Sequence, residues 1–175
     1  AGTAQAQEAV DILREQFPWL TAIVLKTRQS PLAEERRGHL VFGSTADRKI
    51  REHGVWYAVD LMMNRDASLY LDTRNLRAWA QQQLRGKTVL NTFAYTGSLG
   101  VAALAGGAAR VVQLDRSGEF LKVAKASYAL NGFSVRKEDF IVGDFFAKVS
   151  HLKKRGELFD CVFLDPPFFS AGQGG

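Results

Sequence analysis

The feature that most constrains this chain is an alternation that begins at Thr88. Four short apolar runs, Thr88 to Phe93, Ala109 to Asp115, Phe140 to Asp144 and Phe159 to Asp165, are separated by three segments with helical character. Those segments are Ser98 to Ala105, Gly118 to Leu130 and Phe145 to Lys154. Near-continuous apolar strands are buried on both faces, which is the habit of parallel strands joined by crossover helices. The expectation is an α/β, doubly wound parallel sheet, with the loops after the strands gathered along one edge by right-handed crossovers. Gly106-Gly107 and Asn131-Gly132 supply helix stops.

The first part of the chain reads differently. Ala6, Ala9, Val10, Leu13 and Phe17 fall at helical spacing, and Pro18 closes that helix. Leu20 to Lys26 reads as a strand and Thr27 to Gly38 as a loop. Strands follow at His39 to Phe42, Lys49 to Glu52 and Val55 to Leu61, the last two joined by a His53-Gly54 turn. Ser68 to Leu71 reads as one more short strand, with Asp72 or Thr73 capping a helix that runs to Leu84. Two parts are expected: a helix plus β-rich appendage over 1–67, and a nucleotide-binding domain over 68–175.

Composition narrows the class. Of 175 residues, 46% are hydrophobic and 23% charged, which suits a globular core. No apolar run nears the roughly 18 residues of a membrane span, and the start lacks the order of a signal peptide. One Cys leaves no internal disulfide, so a reducing, cytoplasmic setting is expected. His39, His53 and His151 have no metal spacing with that Cys, so no metal is expected. The net charge of +5 favours an anionic partner such as nucleic acid. Lys153-Lys154-Arg155 is read as a solvated helix end. Trp19, Trp56 and Trp79 are read as core or interface anchors.

In a doubly wound sheet the ligand sits at the carboxyl ends of the strands. The first strand runs into Asn91-Thr92-Phe93-Ala94-Tyr95-Thr96-Gly97-Ser98. Gly97 at the turn would let a ligand approach the backbone, or is a plain turn glycine. The motif is not Gly-x-Gly-x-x-Gly, so a nicotinamide dinucleotide is poorly supported. The second strand ends in Asp115, 18 residues after Gly97. Its carboxylate would accept from ribose hydroxyls, or cap the next helix. The spacing favours the ribose. At the third strand end, Asp144 and Phe145 would serve an adenine ring, or be a cap and a core aromatic. The fourth ends in Asp165-Pro166-Pro167-Phe168-Phe169. Two prolines stiffen that loop, and an aromatic after them can stack on a planar base.

These motifs together resemble a family. Asn91 to Gly97 is similar to the Asn-x-Phe-x-Tyr-Thr-Gly cofactor loop of bacterial ribosomal RNA methyltransferases that modify the large subunit at cytosine C5 or guanine N7. Ser68-Leu69-Tyr70-Leu71-Asp72-Thr73-Arg74 resembles that group's Phe-Leu-Asp-Gln-Arg segment. The resemblance runs from about His39 to Ser170. It implies a Rossmann-like class I fold, S-adenosylmethionine as methyl donor and RNA as substrate. It further implies that Tyr70, Asp72 and Arg74 close over the cofactor, with Arg74 near the methionine carboxylate. Phe93, Tyr95, Thr96 and Gly97 would run beneath the methionine. Asp115, with the adjoining Arg116, would hold the ribose, and Asp144 and Phe145 the adenine. Asp165, Pro166 and Phe168 would form the catalytic loop. Phe168 stands where the cytosine C5 enzymes usually carry Lys. The chain stops after the fourth strand, where a class I sheet continues, so a partial domain is expected. Cys161 is read as a core residue inside a strand, not the nucleophile that C5 methylation requires. The alternatives are a same-fold methyltransferase acting on protein or a small molecule, and a nicotinamide-dependent oxidoreductase.

Overall fold

The computed structural model describes residues 3–63 and 66–166. They divide into two compact units, one of residues 1–50 and 59–69, the other of 51–58 and 70–175.

In the first unit, helix α1 (Thr3–Gln16) precedes strand β1 (Ile23–Leu25), short helix α2 (Ala33–Arg37) and strand β2 (His39–Phe42). β1 and β2 pair antiparallel, Ile23 opposite Phe42 and Leu25 opposite His39. The segment read as a loop over 27–38 therefore contains a helical turn. It forms because Arg36 donates to the Ser30 and Pro31 carbonyls at 2.8 and 2.6 Å, while the Ser30 hydroxyl accepts from Leu32 N–H at 3.0 Å. Those contacts close over six residues and leave no periodicity to read. Trp19 is no core residue: it is 72% exposed, edge-on to Phe17.

Strands β3 (Lys49–Glu52) and β4 (Val55–Ala58) form a two-stranded sheet. His53 and Gly54 both take positive φ, +48° and +81°, as a two-residue hairpin turn demands. β4 ends at Ala58, short of the expected Leu61, because the chain turns at Asp60, whose carboxylate accepts from Met62 N–H at 3.0 Å. The expected strand over Ser68 to Leu71 is absent. Ser68 sits at φ +59°, outside the extended region, and its hydroxyl accepts from Asp60 N–H at 2.6 Å.

The second unit holds the parallel sheet. It contains β4, helix α3 (Arg74–Gln83), strand β5 (Thr88–Thr92), helix α4 (Ser98–Ala105), strand β6 (Arg110–Asp115) and helix α5 (Gly118–Leu130). A single 3₁₀ turn (Lys137–Asp139), strand β7 (Phe140–Val142), helix α6 (Phe145–Lys154) and strand β8 (Cys161–Leu164) complete it. The sheet order is β7-β6-β5-β8, every pair parallel. The strand order reverses between β5 and β8, which makes that pair the switch point of a Rossmann-like sheet.

Alternate residues of each strand serve opposite faces. Val89, Val111 and Phe163 pack with Ala80 of α3, with Leu84 just after it, and with Leu99, Ala102 and Ala103 of α4. Leu90, Val112 and Leu114 face Leu152, with Phe145, Val149 and Phe159 around them. α6 ends with Lys153 and Lys154 exposed in its last turn, where cations complement the helix dipole. β4 docks on α5 through side chains. Asn131 accepts from Trp56 N–H at 3.0 Å and donates to Trp56 O at 2.6 Å, while Ser127 Oγ accepts from Ala58 N–H at 2.9 Å. Asn131 thus does more than stop its helix. Among the described residues no helix is long and apolar enough to cross a membrane, and no three His, Cys, Asp or Glu side chains are grouped to hold a metal.

Candidate cofactor-binding site

The loop leaving β5 is folded by alternating backbone handedness. Phe93, Tyr95 and Gly97 lie at φ +49°, +52° and +75°. Two bulky aromatics in the left-handed region are sterically costly, and such strain persists only where surroundings over-determine it. Here they do. Ala94 N–H donates to Leu114 O at 2.9 Å, Tyr95 N–H to Asp115 Oδ2 at 2.8 Å, and Gly97 N–H to Ala94 O at 2.7 Å. Thr96 is buried beneath the turn.

Gly97 is required by packing. A Cβ there would lie 2.6 Å from Ala124 Cβ on α5 and 3.0 Å from Gln113 Nε2, inside the protein. Gly100 on α4 is equally forced, its Cβ falling 2.2 Å from Gln113 Nε2. Both glycines let α4 sit against β6 and α5. The fully buried Gln113 is the polar hub at that contact. It accepts from Asn91 Nδ2 at 2.8 Å and donates to Gly97 O at 3.1 Å and Tyr128 Oη at 3.3 Å.

Asp115 ends β6 half-buried, and its carboxylate is oriented by the backbone. One oxygen accepts from Tyr95 N–H, the other from Ser117 N–H, both at 2.8 Å. It does not cap α5. That role belongs to Ser117, whose side chain accepts from Phe120 N–H. Asp144 does cap its helix, accepting from Ala147 N–H at 3.1 Å, and is otherwise exposed. Phe145 is shared between two settings: its ring stacks on Phe93 at 4.9 Å and 25°, and it packs against the apolar cluster under α6. Two separate contacts thus form after the strand ends, Phe93 with Phe145 and Tyr95 with Asp115, with Asp144 next to Phe145 in sequence.

The segment before α3 meets the β5 loop through Tyr70. Tyr70, 47% exposed, lies with its ring 5.2 Å from Tyr95, which meets Phe120 edge-on at 4.6 Å. Asp72 and Arg116 are exposed. Arg74 is exposed too, 3.8 Å from Glu52. Thr73 precedes α3 without a side-chain cap bond. Its hydroxyl donates instead to Tyr70 O at 2.9 Å and accepts from Arg77 at 2.7 Å, so neither Asp72 nor Thr73 caps as expected.

Sequence reasoning passed over Arg77, Glu52 and Gln113. Arg77 is 1% exposed and makes a two-pronged pair with Glu52 at 2.7 and 2.9 Å. That hydrogen bond, ahead of the cost of burial, holds the Glu52 carboxyl below its ordinary range. The available signal was positional: Arg77 shares its helix stripe with Ala80 and Leu84, both core residues.

At the fourth strand end, Asp165 and Pro166 are exposed. Pro167, Phe168 and Phe169 lie outside the described residues. Cys161 packs against the apolar cluster of β5 and α3, and burial pushes its thiol up. A thiol so held is poorly suited to act as a thiolate nucleophile.

A family model for S-adenosylmethionine-dependent methyltransferases matches residues 22–174. The chain belongs to that family. It is 40% identical over 120 residues to the ribosomal RNA large subunit methyltransferase I of an Enterobacter strain, and 38% identical over 120 residues to the protein of that name from Escherichia coli. Each match takes in 69% of this chain, which spans about 30% of the length of these curated relatives. Among solved structures, one described as a SAM-dependent methyltransferase from Streptococcus mutans aligns at a TM-score of 0.81 with 25% identity. That alignment covers 94% of this chain and 43% of the other. A methyltransferase complexed with S-adenosylhomocysteine aligns at 0.84 with 25% identity, over 97% and 44% respectively. The class I fold expected of the chain is that of these neighbours, and the cofactor of the family is S-adenosylmethionine, not a nicotinamide dinucleotide.

Proposed function

We propose that this chain is the cofactor-binding part of an enzyme that methylates a base in ribosomal RNA. The observation that carries the cofactor half of the reading is the state of Asp115. A carboxylate has about four lone-pair sites. Two are taken by the Tyr95 and Ser117 amides, which fix the group's direction and leave acceptors for a pair of ribose hydroxyls. The donor set suits S-adenosylmethionine in its other parts. The Phe93–Phe145 stack and the Asp144 carboxylate match adenine in shape and hydrogen bonding. Tyr70, Asp72, Arg74, Tyr95, Thr96 and Gly97 would line the methionine, and Arg116 the outer side of the ribose. When bound, the cofactor supplies a methyl group activated by its sulfonium.

The RNA half of the reading rests on the named relatives and on charge. Within the 51–58 and 70–175 unit, 15 side chains are Lys or Arg and 10 are Asp or Glu, so that unit carries the entire net +5. Asp165, Pro166 and Phe168 would present the base, Asp165 orienting a ring nitrogen or amine and Phe168 offering a face for stacking. The enzyme would work in the cytoplasm, where its RNA is made. Titration calorimetry with S-adenosylhomocysteine and with NAD tests the first half, and NAD binding alone would sink it. Transfer of labelled methyl to unmodified ribosomal RNA, transfer RNA and total protein tests the second.

A further inference from the structure

The turn that carries Tyr70 has no regular structure of its own. Arg74 N–H donates to Leu71 O at 3.1 Å and Thr73 Oγ1 to Tyr70 O at 2.9 Å, and one arginine ties the turn to β3. Arg77 Nε and Nη2 grip the two oxygens of Glu52, and Nη1 donates to Tyr70 O at 2.8 Å and to Thr73 Oγ1 at 2.7 Å. The Arg77 side chain is 0% exposed and that of Glu52 10%. A buried ion pair is weak evidence for stability, because apolar side chains of similar size often serve as well. Apolar side chains, or a lysine, could not hold both carboxylate oxygens, a carbonyl and a hydroxyl at once. That fork geometry belongs to arginine. From Tyr70 the contacts continue: ring to ring at 5.2 Å to Tyr95, whose backbone N–H at φ +52° is one of the two donors that orient Asp115.

We propose that Glu52 and Arg77 are positioning residues that set cofactor affinity by clamping the Tyr70–Thr73 turn and, through the Tyr70–Tyr95 ring contact, the backbone that aims Asp115. The proposal rests on the reading of these strand ends as the S-adenosylmethionine site. Glu52 comes from the end of β3 and Arg77 from the first turn of α3, so two elements remote in sequence steer a loop that neither belongs to.

The test uses Arg77→Lys, Glu52→Gln and Tyr70→Ala in the full chain. Three quantities are read: S-adenosylhomocysteine affinity by calorimetry, the melting temperature without ligand, and hydrogen exchange of the Tyr95 amide by NMR. Losing one charge-assisted hydrogen bond corresponds to about tenfold or more in affinity. Arg77→Lys and Glu52→Gln should each weaken binding by that factor and speed Tyr95 exchange in the ligand-free protein. Tyr70→Ala removes an exposed ring, and should reproduce both effects with the melting temperature nearly unchanged. A melting temperature that falls in Arg77→Lys and Glu52→Gln while affinity and Tyr95 exchange hold would make the pair structural only and overturn the proposal. Should those two fail to fold, Tyr70→Ala decides by Tyr95 exchange alone, because in the cofactor reading its ring also lines the methionine, and normal exchange overturns the proposal. Absence of binding by the unsubstituted chain would instead overturn the cofactor reading, and Tyr95 exchange would still decide whether the clamp holds the loop.

Discussion

Asp115 shows how backbone amides fix one carboxylate at the end of a strand. Its two backbone donors restrict it to one orientation before anything binds, so little entropy remains to be lost on association. Asp115→Asn would turn an amide NH₂ toward either Tyr95 N–H or Ser117 N–H, setting donor against donor. Cofactor affinity is expected to fall by about 1.5–3 kcal/mol, the scale of a hydrogen bond to a charged group. The ligand-free protein is expected to lose stability as well, because a backbone amide loses its acceptor. Calorimetry on the folded fraction separates the two, and unchanged affinity would remove Asp115 from the site. Cys161 is expected to matter only to packing. Cys161→Ala should retain methyl transfer in the full-length enzyme and lower the melting temperature slightly. Abolished turnover with intact S-adenosylhomocysteine binding would reverse that assignment. The place of Asp115 at the end of its strand was legible from the apolar run before it. Arg77 and Gln113 were not, because each is explained by a partner more than 20 residues away, Glu52 or Asn91.

At the scale of elements, the contact of α4 with β6 and α5 depends on missing side chains. Gly97→Ala combines a left-handed backbone, which costs about 1–3 kcal/mol for a non-glycine residue, with a collision against Ala124 Cβ. Ala124→Gly removes that collision and leaves the backbone term. A double-mutant cycle by denaturant unfolding should therefore give a coupling of about 0.5–3 kcal/mol, the range for residues in contact. Strictly additive effects would mean that the loop moves aside instead. Helices α4, α5 and α6 were read from sequence with the bounds they have, since each is flanked by a strong signal: Gly97 and Gly106 for α4, Ser117 and Asn131 for α5, Asp144 for α6. The Ser68–Leu71 segment misled because its residues are apolar enough for a strand, while the Ser68 backbone is turned by its hydrogen bond to Asp60.

For the molecule as a whole, acid should lower the stability of the second unit. Glu52 titrates below its ordinary value because Arg77 bonds to the charged form. A group depressed on folding adds stability above its unfolded pKa, and the contribution disappears as pH falls through the folded value. The same direction holds for Asp160, whose first cause is the Thr88 amide, and for Glu157, whose first cause is Arg110, although both are solvent-screened. The melting temperature should thus be flat near neutrality and decline below about pH 4.5, the ordinary glutamate range. In Glu52→Gln the neutral-pH value should be lower and the acid decline shallower. An identical decline in both proteins would show that Glu52 contributes nothing to acid sensitivity.

Local sequence carried the sheet, because burial on two faces imposes an apolar run and crossover helices impose a 3.6-residue period. It likewise carried the positions of Asp115, Asp144 and Asp165 at or just after the ends of their strands. Tertiary structure decided the rest. Gly97 packs against Ala124 and Gln113, Ser117 rather than Asp115 caps α5, and Arg77 is buried against Glu52. Each of these outcomes turns on which polar or bulky groups meet after the chain has folded. Hydrogen-bond partners and steric neighbours are set by distance in space, and no period along the sequence records them.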